Sequence, residues 1–126
     1  MGSISGMFKR LLIISLLSAA ILSCTGQDCK NLPTTLSSYS QAITLVQSST
    51  FKVQESANTS NSSWITSANY YSCDGRTGFF IYTTNRGYQY IHKGVPIEVW
   101  EEFKNAPSKG SYYDYNIKHR YLLRLN

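Results

Sequence analysis

Of the side chains that can move a proton or hold a metal, the chain of 126 residues offers two histidines, three cysteines and seven acidic residues. His92 and His119 each adjoin a cation, Lys93 and Arg120, and neither has a carboxylate or nucleophile motif beside it. A general base needs a group that orients it, so these imidazoles are expected to be solvated or core residues. Glu98, Glu101 and Glu102 fall where the start of a helix favours negative charge, and Asp74 belongs to a turn, so paired-carboxylate chemistry is not indicated. The two histidines and the later cysteines, Cys29 and Cys73, lack zinc-ligand spacing. The sequence thus predicts no catalytic residue, no metal and no cofactor.

What remains is an aromatic and basic set: Tyr88, Tyr90, Tyr112 and Tyr113 with Lys109, Lys118 and Arg120. Such rings can stack on bases or sugars while the cations hold phosphates. The alternative is packing, with the tyrosines of the third strand beneath a helix through Val99 and Phe103 and their hydroxyls bonded to the turn at residues 108–110. Lys104, Lys109, Lys118, Arg120 and Arg124 crowd the last 23 residues against Asp114 alone, as a binding patch or as a solvated helix face. The net charge of +5 does not compel a nucleic-acid partner, which usually needs a concentrated basic stripe.

The first third of the chain concerns destination. Lys9 and Arg10 precede an uncharged run of 12 residues, 11–22. As a helix that run would measure about 18 Å, too short for a bilayer core of about 30 Å. It therefore reads as a secretory signal over residues 1–23. The run ends Ile21-Leu22-Ser23-Cys24, which resembles the bacterial lipobox. That resemblance implies cleavage before Cys24, a lipid on its sulfur and a membrane-anchored protein facing the periplasm. Thr25, in place of Asp, implies the outer membrane over the inner. Residues 24–33 would be the lipid-anchored tether. Lipidation of Cys24 would leave Cys29 and Cys73 as an even pair in an oxidising compartment, expected to form a disulfide.

Several elements must position these residues. Leu36, Tyr39, Ile43 and Val46 recur at helical spacing after Pro33 and a Thr pair, predicting a helix from about residue 34 to 46. Residues 51–55 alternate as a short strand, and the polar, small residues 56–63 form a loop. Aromatic and β-branched residues then recur at 64–72, 79–84 and 88–92, divided by Asp74-Gly75 and Asn85-Arg86-Gly87 turn signals. This predicts an α+β fold: a small three-stranded antiparallel meander followed by two C-terminal helices and preceded by one helix and a short strand. Pro96 opens the first C-terminal helix, and Tyr113, Ile117 and Tyr121 lie at four-residue intervals in the second. Phe79 and Ile81 point opposite to Phe80 and Tyr82, so both sheet faces need cover or one is an exposed aromatic platform.

Residues 64–125 resemble the KTSC domain, a module named after the C-terminal region of certain lysyl-tRNA synthetases. The matching pieces are Ser62-Ser63-Trp64-Ile65, Tyr88-Gln89-Tyr90, Val95-Pro96-Ile97-Glu98-Val99-Trp100 and residues 108–113, with Ile117-Lys118 and Tyr121. Trp100 stands where Tyr is usual, Asp114 where Asn is common and Lys118 where Arg is common; the last two reduce the donors available to phosphate. The resemblance implies a binding module at residues 64–126, with residues 34–63 as an N-terminal extension. RNA binding, suggested for the family, fits a periplasmic protein poorly. The function expected is a membrane-tethered, non-catalytic module holding a protein or glycan partner, with nucleic-acid binding as the alternative.

Overall fold

The computed structural model describes residues 26–126. Cys24 and the expected signal lie outside the described residues. The chain runs β1 (Gln27–Asp28), a single 3-10 turn (Cys29–Asn31), α1 (Tyr39–Ser48), β2 (Ser49–Thr50), β3 (Val53–Ser56), β4 (Ile65–Ser72), β5 (Thr77–Thr84), β6 (Gln89–Pro96), α2 (Ile97–Asn105) and α3 (Lys109–Asn116). The fold is α+β, built on an antiparallel sheet of order β3-β4-β5-β6.

The sheet has four strands and not three. The short strand expected before the meander joins it, pairing Val53 with Ser72 and Glu55 with Tyr70. The intervening loop is long enough to reverse the chain, and Ala57 N–H donates to the Ala68 carbonyl at 2.9 Å to carry the pairing one step further. The N-terminal helix also starts later than expected. Ser38 caps it by accepting from Gln41 N–H at 3.1 Å, while the Gln41 side chain accepts from Ser37 N–H and Oγ. These reciprocal bonds fix the start at Tyr39. Leu36 precedes the helix, yet it is buried.

Both faces of the sheet are covered. Phe80 and Tyr82 pack with Trp100, Phe103, Tyr113 and Ile117 beneath α2 and α3. Ile81 and Ile91 pack on the opposite face with Ala42, Ile43 and Val46 of α1. The period-two alternation of β5 therefore feeds two separate apolar layers, each large buried side chain contributing about 1.5 to 3 kcal/mol.

The last helix ends at Asn116, so Tyr121 is not its third inward residue. The chain leaves the helix and runs back along β6, where His92 bridges Leu122 and Lys93 N–H donates to the Tyr121 carbonyl at 3.3 Å. Leu123 then enters the α1 layer. That pairing covers part of an edge strand.

Cys29 and Cys73 form the expected disulfide, joining Cα atoms 5.9 Å apart across 44 positions. The segment expected as a tether is tied to the body from Gln27 onward: β1 pairs in parallel with β2, Gln27 against Ser49 and Asp28 against Thr50. Among the described residues no helix is long and apolar enough to cross a membrane.

Candidate functional site

With both sheet faces closed, exposed aromatic side chains gather at the rim of β6, apart from Tyr115, which stands 79% exposed on α3. Tyr90 lies opposite Tyr82 in the β5–β6 register and stacks on it, with centroids 5.3 Å apart. Tyr82 is buried, whereas Tyr90 keeps 47% of its surface exposed. Tyr39, the first residue of α1, is in line with the Ala42, Ile43, Val46 stripe, but at the end of the helix it is 53% exposed. With Leu122 of the C-terminal tail, these residues enclose a cleft of ≈ 370 Å³ whose floor includes His92 and Tyr113. No acidic or cationic side chain lines it.

A directed chain of hydrogen bonds runs through the floor from behind it. Tyr82 O–H donates to Tyr113 Oη at 2.8 Å, and His92 Nε2 lies 2.9 Å from the same oxygen. His92 Nδ1 lies 3.0 Å from the Tyr121 carbonyl. A carbonyl can only accept, so Nδ1 carries the proton and Nε2 accepts from Tyr113 O–H. Every donor points the same way, from Tyr82 through Tyr113 and His92 to the tail. Burial raises the tyrosine pKa values and lowers that of His92, so the floor is held neutral. The side chains facing the imidazole are Phe80, Tyr82 and Tyr113, and none is charged.

This arrangement predicts a pH dependence. In the unfolded chain His92 binds its proton near its ordinary pKa, while the folded chain resists it, so stability is lost as pH falls below about 6.5. The His92→Phe variant is expected to be less stable near neutrality but to lose less on acidification to about pH 5. Urea unfolding of both proteins over that range checks this; parallel curves would show that another group carries the dependence.

Of the seven residues singled out by sequence, Tyr90 and Tyr113 share the cleft and the others lie elsewhere. Tyr88 and Tyr90 are exposed and do not pack beneath a helix. Tyr113 is buried, and Tyr112 is half-buried with its hydroxyl donating to Glu102 Oε2 at 2.6 Å. Burial, followed by this bond, pushes the Tyr112 phenol pKa up. Lys109 Nζ donates to the Lys104 and Ala106 carbonyls at 3.1 and 3.3 Å, serving the orphan acceptors at the end of α2. Lys118 and Arg120 are exposed on the turn after α3 and line neither the cleft nor its surroundings.

A second, polar cavity of ≈ 300 Å³ lies between the loop before β4 and the start of α3, and it holds Trp64, Ser108, Lys109 and Asp114. Gly110 lets α3 approach the Trp64 indole there, since a Cβ at that position would collide with Nε1. Lys109 is turned to the α2 carbonyls, and Asp114 adds negative charge to the wall.

Sequence reasoning missed Tyr39, His92 and Leu122 as site residues. Helical spacing had grouped Tyr39 with Ile43 and Val46 in the apolar stripe, so its exposure at the start of α1 carried no signal. No curated protein and no solved structure matches the chain. The order of motifs from Trp64 to Tyr121 has its counterpart in a known family: residues 61–121, just under half of the chain, match the family model of the KTSC domain.

Proposed function

We propose that this protein is a lipid-tethered, non-catalytic binding module that works on the periplasmic side of a membrane, held through Cys24, and that it holds a protein or glycan partner in the cleft between Tyr39, Tyr90 and Leu122. The observation that carries the reading is the exposure of large apolar side chains around one uncharged cleft, in a domain whose two sheet faces are otherwise covered. In this reading the Tyr82–Tyr113–His92 chain fixes the shape of the floor and does no chemistry. The absence of cations from the cleft weighs against the nucleic-acid alternative, since phosphate contacts supply most of such affinity. The family match at residues 61–121 adds a module, without a ligand.

The experiment expresses the full chain in a Gram-negative host and reads intact mass, membrane fractionation and cross-linked partners. The wild type is expected in the membrane fraction with a mass shift for an acylated Cys24, and Cys24→Ala is expected to lose that mass shift. Tyr39→Ala and Tyr90→Ala should keep the anchor and lose the cross-links. An unprocessed, unacylated product, or cross-links indifferent to both tyrosines, overturns the proposal.

A further inference from the structure

The uncharged cleft continues beyond Tyr39. A second depression of ≈ 430 Å³ runs between α1 and the β5–β6 turn, and Tyr39 and Gln89 line both. Its walls are Ser40, Thr44 and Gln47 from the solvent side of α1, with Tyr88 from the turn. The shared residues make the two depressions one groove, along which Tyr90, Tyr39 and Tyr88 are 47%, 53% and 61% exposed. Exposed amides and hydroxyls lie among the rings, and neither depression has an Asp, Glu, Lys or Arg in its lining.

Flat apolar faces alternating with neutral donors and acceptors complement a chain of pyranose rings. Each sugar ring offers a C–H face to an aromatic face, and its hydroxyls reach amides, which can both donate and accept. An anionic glycan or a nucleic acid would bring charge to a groove that holds none. A peptide would ordinarily dock by extending the sheet, but the tail already occupies the β6 edge at His92 and Lys93. We propose that this groove binds a neutral oligosaccharide in two subsites, with Tyr90 and Tyr88 as the stacking platforms and Tyr39 between them. The proposal rests on the binding-module reading and specifies its ligand.

The test uses the full, lipidated chain in detergent micelles. Calorimetric titration with neutral oligomers of N-acetylglucosamine and of glucose, short and long, is set beside titration with an oligouridylate. Binding of at least one neutral series is expected, tightening with length until both subsites fill and nearly indifferent to salt. Tyr88→Ala and Tyr39→Ala should each weaken it by about ten-fold while leaving thermal melts unchanged, because both side chains are exposed. If no neutral oligomer binds but Tyr88→Ala and Tyr39→Ala still release a cross-linked protein, the sugar assignment falls and the binding module stands. Salt-sensitive oligouridylate binding that needs Tyr88 overturns both in favour of nucleic acid. If nothing binds and the tyrosine variants keep every cross-link, both fall.

Discussion

Trp100→Ala is expected to destabilise the domain by about 3 to 5 kcal/mol, the range for removing a large aromatic from a closed core. The indole is fully buried, stacked on Tyr70 at 5.3 Å with planes 10° apart, and flanked by Phe80 and Phe103. Its N–H reaches past the sheet to Glu55 Oε1 at 2.7 Å, on an edge strand that pairs with β4 alone. Lys104 completes the cluster, 2.9 Å from the same oxygen, and the indole N–H followed by the ammonium holds the Glu55 carboxyl below the usual range. One residue thus fills the α2 layer and fastens β3. Trp100→Phe separates the two roles: it keeps a ring over Tyr70 and loses the N–H, and is expected to cost much less, about 1 to 2 kcal/mol. Urea unfolding of the three proteins checks the order. Equal costs for Phe and Ala would assign the whole effect to the bond with Glu55, and a negligible cost for Ala would contradict the packing.

The second large effect is expected from the disulfide. Closing the loop between Cys29 and Cys73 removes chain entropy from the unfolded state worth about 4 kcal/mol. Against a total stability of about 5 to 15 kcal/mol for a small domain, that is a large share. The Cys29→Ser, Cys73→Ser double variant should melt roughly 15 to 30 °C lower than the oxidised wild type. Wild type with a reductant should fall to the same temperature. A melt unchanged by either treatment would mean that the covalent link constrains little that β1, β2 and the core do not already hold.

The legible part of this fold was local. The alternation through Phe79, Phe80, Ile81 and Tyr82 required cover on both faces, and α1 supplies one layer while α2 and α3 supply the other. Turn residues at 74–75 and 85–87 divided the strands correctly, with Gly75 and Gly87 at positive φ. The illegible part was tertiary. Residues 51–55 showed a strand period but not a partner, because pairing with β4 is set across the polar loop at 56–63. Spacing placed Tyr113 and Tyr121 on one helical face, yet Tyr121 left the helix so that its carbonyl could meet His92 and Lys93. The aromatic and basic candidates shared residue types more than a location: Tyr90 and Tyr113 meet in the cleft, while Lys109 went to the α2 carbonyls and Tyr112 to Glu102. The cleft brings the start of α1 against a strand some fifty positions later, and no periodicity within either element reports that distance.

The pairing of Gln27 and Asp28 with β2, locked just behind by Cys29, bears on how the protein would stand at a bilayer. Two residues separate Cys24 from Gln27, and a fully extended backbone covers only roughly 10 Å in that interval. A diacylglycerol at Cys24 would act as a bracket, not a leash. The domain could rock on the headgroups but could not sweep the space above them, and its capture radius would be little more than its own width.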